Sequence, residues 1–245
     1  MKKAGLIICC AILVLCMVYV GNFMEEKEVI AVPDKNIEEK IAYLTFDDGP
    51  SRLTPKFLDV LKENQVKATF FLIGCQIEGD MAEVAKRACR EGNELGVHTY
   101  CHEADKIYAS EECYYQDLMK TRDIIKKKVN YKCNLFRFPW GSANAYIRPY
   151  KKSLIARMEK ENMGYADWNV SGEDSVGFPT EETILQNVRK DYRRYNQPVI
   201  LLHDSAISEK TLAALPVIIK ELKEQGYRFD VLSNREKSCH FCEDG

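Results

Sequence analysis

"YLTFDDGPSR", residues 43–52, decides how the rest of the chain is read. Tyr43, Leu44 and Phe46 predict a short buried strand, and Asp47, Asp48, Gly49 and Pro50 predict the turn that ends it. Two adjacent carboxylates repel each other, so solvent, an arginine or a metal ion must offset them. Taken alone, the stretch reads first as a solvated Asp-Asp-Gly-Pro turn, and its chemistry has to be decided by what surrounds it.

Working outward, the pattern alternates strand and helix: "IAYLTFD", "PKFLDVLKENQ", "ATFFLIG", "DMAEVAKRACREG", "ELGVH". It continues through "YYQDLMKTRDIIKKKV", "LFRFP", "RPYKKSLIARMEKENM", an apolar "YADWNV", "TEETILQNVRKDYRRY", "PVILLH", "TLAALPVIIKELKEQG" and "RFDVL". This order predicts an α/β fold, a parallel sheet covered by helices, closed to a distorted, incomplete (β/α) barrel. Functional groups in such barrels gather at the C-terminal ends of the strands. Asp47, Asp48, His98, Arg137, Asp174 and His203 all fall there.

A chain of 245 residues, 46% hydrophobic and 29% charged, accommodates one complete α/β domain, placed at 40–234. A net charge of −2 with no long basic block excludes a nucleic-acid footprint. Lys2 and Lys3 precede the apolar run Ala4–Val20, so residues 1–21 read as a transmembrane signal anchor with the domain on the outer side of the cell membrane. A cleaved signal and a secreted protein are the competing reading. Residues 22–39 are polar and acidic and read as a tether, which directs the domain to a substrate at the cell surface.

Ten cysteines are present, three of them (Cys9, Cys10, Cys16) in the apolar run. The others are Cys75, Cys89, Cys101, Cys113, Cys133, Cys239 and Cys242, an odd set whose pairing the sequence leaves open. The tail 235–245 carries "SCHFCEDG", half of a metal site without a second half, so a disulfide or a disordered end is expected there.

"HTYCH" sets His98 and His102 four residues apart, a spacing that brings two imidazoles onto one metal where the segment turns helically. Asp48 would complete a His₂Asp set with open positions, the arrangement of a catalytic rather than a structural metal. Thr99 stands where the zinc proteases with this spacing carry their base, so the base must come from elsewhere. With Asp48 on the metal, Asp47 is free to act as that base, and Arg137 offsets its charge. His203, ending an apolar strand, is placed as a general acid, with Asp174 or Asp204 available to hold its ring. Each of these residues also has an ordinary reading as a surface or strand-end group.

Together they resemble the NodB-type polysaccharide deacetylases, carbohydrate esterase family four. "TFDDGPS", "HTYCH", "RFPWG", "DWNVSGEDS" and "LLHD" look like the family's five motifs in the family's order, and the resemblance spans about residues 40–232. It implies a metal-dependent hydrolase that removes N-acetyl groups from a cell-surface polysaccharide, foremost peptidoglycan N-acetylglucosamine of the cell wall. Chitin-like oligosaccharide, N-acetylmuramic acid, exopolysaccharide and O-acetylated xylan are alternatives the motifs do not separate, and a non-catalytic wall-binding protein is a further one. The implied metal is one divalent ion, zinc first, with cobalt, nickel or manganese as alternatives. By the same resemblance Asp47 is the base, Asp48, His98 and His102 the ligands, Arg137 the residue orienting Asp47, His203 the acid and Asp174 its tuner. The Trp140 backbone would support the oxyanion, and Trp168 and Leu202 would line the acetyl pocket. Trp140 replaces the usual Tyr or Gly, and Ser171, Asp174 and Ser175 stand where the fourth motif often reads Asp-x-x-Asp-Trp.

Overall fold

The structure is a computed structural model that describes residues 39–241. The anchor expected over 1–21, the tether up to residue 38 and Cys242 lie outside the described residues. Among the described residues no helix is long and apolar enough to cross a membrane.

Eight strands form one sheet: β1 (Ile41–Gly49), β2 (Ala68–Leu72), β3 (Glu94–Val97), β4 (Leu135–Phe136), β5 (Gly164–Tyr165), β6 (Val170–Ser171), β7 (Val199–His203) and β8 (Arg228–Phe229). The hydrogen-bonded order is β5-β4-β3-β2-β1-β7-β6, with β8 on the first residues of β1, and every pairing is parallel. Seven strands thus follow the cyclic order of a barrel, left open between β5 and β6. The helices that carry the crossovers are α1 (Thr54–Glu63), α2 (Ala82–Arg90), α3 (Glu111–Val129), α4 (Lys151–Lys160), α5 (Glu181–Asp191) and α6 (Glu209–Glu224).

Local chemistry sets the helix ends. Ser110 caps α3 by accepting from the Cys113 N–H, and Asn130 ends it in the left-handed region at φ 58°. Thr180 and Thr183 cap α5 reciprocally. In β1, alternation sorts the side chains: Ala42, Leu44 and Phe46 enter the large core between sheet and helices, whereas Ile41 and Tyr43 enter the inner cluster with Phe71, Ala166, Val199 and Leu232. Asp47 continues the inner row and opens into the rim.

Two departures from the sequence reading matter. The apolar "YADWNV" is no element of its own but the link between two short strands: only Tyr165 and Val170 pair, and the backbone between them is satisfied by other groups, since Arg137 donates to the carbonyls of Ala166 and Asp167, and the Asp167 N–H donates to the Cys239 carbonyl. The tail is also neither disulfide-bonded nor loose as far as residue 241. Cys239 is a buried free thiol, His240 stacks on Tyr165 at 3.8 Å, and Phe241 meets the Trp168 ring edge at 4.8 Å. This segment covers the seam that the strands leave open.

Candidate active site

Flat β-strands point successive side chains to opposite faces, so two neighbouring aspartates should part company. They do not, because β1 bulges between them. Its pairing with β2 runs Phe46↔Phe70 and then Gly49↔Leu72, one extra residue on β1, and Asp48 takes φ 72°. Aspartate tolerates this left-handed conformation better than most residues, and the extra residue turns the second carboxylate to the same rim as the first. Gly49 follows because a Cβ there would lie 2.7 Å from the Asp204 carboxylate, itself buried and accepting from Ser51 Oγ and Thr54 Oγ1. Burial pushes Asp204 up to about 6.

Asp47 is buried, and its Oδ1 accepts from Arg137 Nη1 at 2.9 Å. Arg137, fully buried itself, also donates to Thr45 Oγ1 and to the two carbonyls between β5 and β6, and lies 4.2 Å over the Phe71 ring. Its fork therefore joins Asp47, the inner barrel wall and the open seam. Burial alone would raise the Asp47 pKa; Arg137, His98 and His203 outweigh it and hold the carboxyl below its ordinary value.

Asp48, His98 and His102 offer oxygen and nitrogen atoms all within 4.8 Å of one another. Asp48 Oδ1 lies 3.6 Å from His98 Nε2 and 3.5 Å from His102 Nε2, and it is buried with no hydrogen-bond partner. His98 Nδ1 is 3.0 Å from the Arg137 carbonyl, which can only accept, so Nδ1 carries the proton and Nε2 presents its lone pair. An orphaned carboxylate oxygen facing two imidazole nitrogens fits a divalent cation. The helical turn expected from the His-x-x-x-His spacing is absent: Thr99 and His102 sit at φ 66° and 55°, and a looped segment brings the rings to 5.0 Å.

The parallel register pairs Asp47 with His203 across β1 and β7. Of the two aspartates available to hold His203, Asp174 does so: its Oδ1 is 2.8 Å from Nδ1, and its Oδ2 accepts from the His203 N–H and from Thr211 Oγ1. Burial opposes the charged ring, but Asp174 outweighs it and raises the His203 pKa to about 9. Because that value lies above the ordinary imidazole 6.5, the pair stabilises the fold fully below about pH 6.5 and loses this contribution as pH rises through about 9. Asp174→Asn should therefore lower the His203 midpoint in an NMR titration and flatten the fall in stability between those pH values. An unmoved midpoint would separate the two residues.

Trp140, at φ 61° and half exposed, stands 4.9 Å from the His102 ring. Trp168 lies 5.6 Å from the Arg137 guanidinium, behind Gly141. Leu202 is a correction: it is fully buried in the core between sheet and helices, against Gly172 and away from the rim. By alternation Leu201, not Leu202, shares the face of Val199 and His203. Sequence reasoning also missed Thr45 and Asp167. Asp167 accepts from the Ser142 N–H and Oγ and from the Phe241 N–H, tying the loop after β4 to the tail. An ionisable residue inside the apolar run "YADWNV" was the available signal. A cleft of about 710 Å³ opens beside Asp48 and His102, walled by Ser51, Cys75, Cys101 and Ser205.

The polysaccharide deacetylase family, by its sequence profile, matches residues 34–158. The chain is similar to the Bacillus subtilis protein YheN, named as a polysaccharide deacetylase, with 33% identity covering 90% of this chain and 81% of that protein. A peptidoglycan-N-acetylglucosamine deacetylase of Bacillus cereus is 33% identical over 79% of this chain and 69% of its own length. Among solved structures, the catalytic domain of a peptidoglycan N-acetylglucosamine deacetylase from Eubacterium rectale superimposes with a TM-score of 0.78 at 32% identity, over 86% of this chain and 96% of that one.

Proposed function

The chain belongs to the polysaccharide deacetylase family, the NodB-type carbohydrate esterases of family four, and we propose that it hydrolyses N-acetyl groups of peptidoglycan N-acetylglucosamine. It is a hydrolase that deacetylates polysaccharide; the polymer, the sugar, the metal and the residue roles are this proposal. The observation that carries it is the division of labour at the bulge. One aspartate is held by a buried arginine, and its neighbour has an unpartnered oxygen facing two imidazoles.

Asp48, His98 and His102 would hold one divalent ion, zinc by donor set with cobalt, nickel or manganese as substitutes, which when bound would polarise the acetyl carbonyl and acidify the attacking water. Asp47, kept ionised by Arg137, takes the proton from that water. The Trp140 N–H donates to the oxygen that becomes negative as the carbonyl carbon turns tetrahedral. His203, charged through Asp174, returns a proton to the sugar nitrogen so that it leaves as an amine. Trp168 and Leu201 close the side where the acetyl methyl sits. The reading extends to location: an anchor over 1–21 would hold the domain outside the cell membrane, where the polymer is.

Acetate release by the full chain from purified peptidoglycan tests the proposal, with chitooligosaccharide and acetylated xylan in parallel. Release from peptidoglycan should stop after chelation and return with zinc or cobalt. His98→Ala should lose both turnover and bound metal, by elemental analysis. Full metal content in that variant would remove His98 from the ligand set, and polymer binding without acetate release would turn the reading to a wall-binding protein.

A further inference from the structure

The two imidazoles of the site are held in different ways. His98 is anchored directly, its N–H on the Leu72 carbonyl and its ring on the Arg137 carbonyl. His102 faces Asp48 with its Nε2 and Trp140 with its ring, and its backbone continues from the run Thr99–Cys101. Where that run is placed decides where His102 stands.

The run is not in a relaxed conformation. Thr99 and His102 have φ 66° and 55°, a region that is least favourable for a β-branched residue such as threonine. Such residues persist where their surroundings over-determine them, and Tyr100, between the two, is over-determined. Its N–H donates to Asp117 Oδ1, its carbonyl accepts from the Cys75 N–H at 3.0 Å, and its hydroxyl donates to Glu78 Oε2 at 2.6 Å. Lys120 Nζ stands 3.2 Å over its ring, and the Thr99 carbonyl accepts from the Gly74 N–H.

Among these partners, Asp117 takes two groups of the run at once. Its Oδ1 receives the Tyr100 N–H, and its Oδ2 receives the Cys101 thiol at 3.5 Å. A carboxylate on a backbone N–H makes a stronger bond than a neutral acceptor would. Asp117 is half-buried and comes from α3, which is itself seated at this point by the buried Tyr114, Leu118 and Thr121. The joint is tight: a Cβ at Gly74 would run into both Thr121 Oγ1 and the Tyr100 ring. Glu78 and Lys120 are exposed, and exposed charges hold a loop only weakly.

Resting on the metal site of the proposed function, we infer that Asp117 is a positioning residue for that site. By receiving the Tyr100 N–H and the Cys101 thiol, it fixes the left-handed turn that sets His102 opposite Asp48. Its carboxylate meets Tyr100 and Cys101 rather than any of the three donors, so it acts through the loop.

The test is zinc affinity of the full chain, read by competition with a chromophoric chelator, beside the Tm of the zinc-free protein. Asp117→Ala should weaken zinc binding roughly tenfold, the lower end for losing a residue that orients a metal ligand. Asp117→Asn keeps an oxygen for the Tyr100 N–H and should restore most of that loss. At saturating zinc the kcat of Asp117→Ala should return to that of the natural chain, while the zinc concentration at half activity rises by the same factor as the affinity falls.

A residue that only braces the fold would give a lower zinc-free Tm with unchanged zinc affinity, and that result would overturn the assignment. So would an Asp117→Asn as weak as Asp117→Ala, since the charge rather than the placement of the loop would then be what the metal senses. If Asp117→Ala does not fold, Asp117→Glu takes its place: the added methylene displaces the carboxylate and should weaken zinc binding in the same direction, and unchanged affinity there overturns the role. A natural chain that binds neither zinc nor cobalt would overturn the metal site and this role with it. Zinc binding without acetate release would overturn the proposed activity alone, and the affinity contrast would still decide Asp117.

Discussion

Asp47→Asn is expected to lower kcat by about 10²–10⁴-fold, the range of a lost general base, while bound metal stays at the level of the natural chain. The amide keeps the shape of the side chain and can still accept from Arg137 Nη1 through its oxygen, but it cannot take a proton. Asp47 lies outside the triad whose atoms converge, its Oδ2 being 3.7 Å from His98 Nε2, so Asp48, His98 and His102 keep their places. Parallel loss of metal and turnover would instead make Asp47 a ligand.

Arg137→Met is expected to cost about 3–5 kcal/mol of stability, the usual consequence of removing one partner of a buried charge pair. At this chain length that corresponds to a fall in Tm of roughly 10 °C. The substitution strands the Asp47 carboxylate and frees the carbonyls of Ala166 and Asp167 at the open seam. Arg137 is the main group holding the Asp47 pKa down against burial, so the acid limb of the activity profile should also move to higher pH. Arg137→Lys should repair little of this, since one ammonium cannot reach Thr45, Asp47 and two carbonyls at once. A variant with unchanged Tm and an unshifted acid limb would show that Arg137 neither braces the seam nor poises the base.

The sheet and its helices were legible in the sequence because the parallel strands are short apolar runs and the helices show their own period, two of them with a capping Ser110 or Thr180. The seam was not, since whether β5 and β6 pair depends on where the carbonyls of Ala166 and Asp167 find donors. Those donors come from Arg137, about thirty positions away. The candidate set was legible as residue types at strand ends. Its geometry was not: the His98–His102 spacing pointed to a helix, whereas left-handed residues at 99 and 102 do the same work in a loop. Leu202 went wrong for the simplest reason. Parity along β7 separates it from His203, and a motif read as letters does not carry parity.

One inserted residue in β1 makes the site possible, and it also constrains what the chain can become. Deleting a residue between Phe46 and Gly49 would restore a flat ladder with β2, but it removes Asp47 or Asp48 itself and leaves a single carboxylate after Phe46, on the inner row. Point changes at Asp47 or Asp48 dismantle the chemistry but leave the fold a path to survive. A change of length there takes away one carboxylate and the bulge that brought the two to one rim. Descendants of this sequence can therefore drift to inactive relatives one letter at a time and return the same way, whereas a flattened β1 offers one carboxylate at the rim and closes the way back.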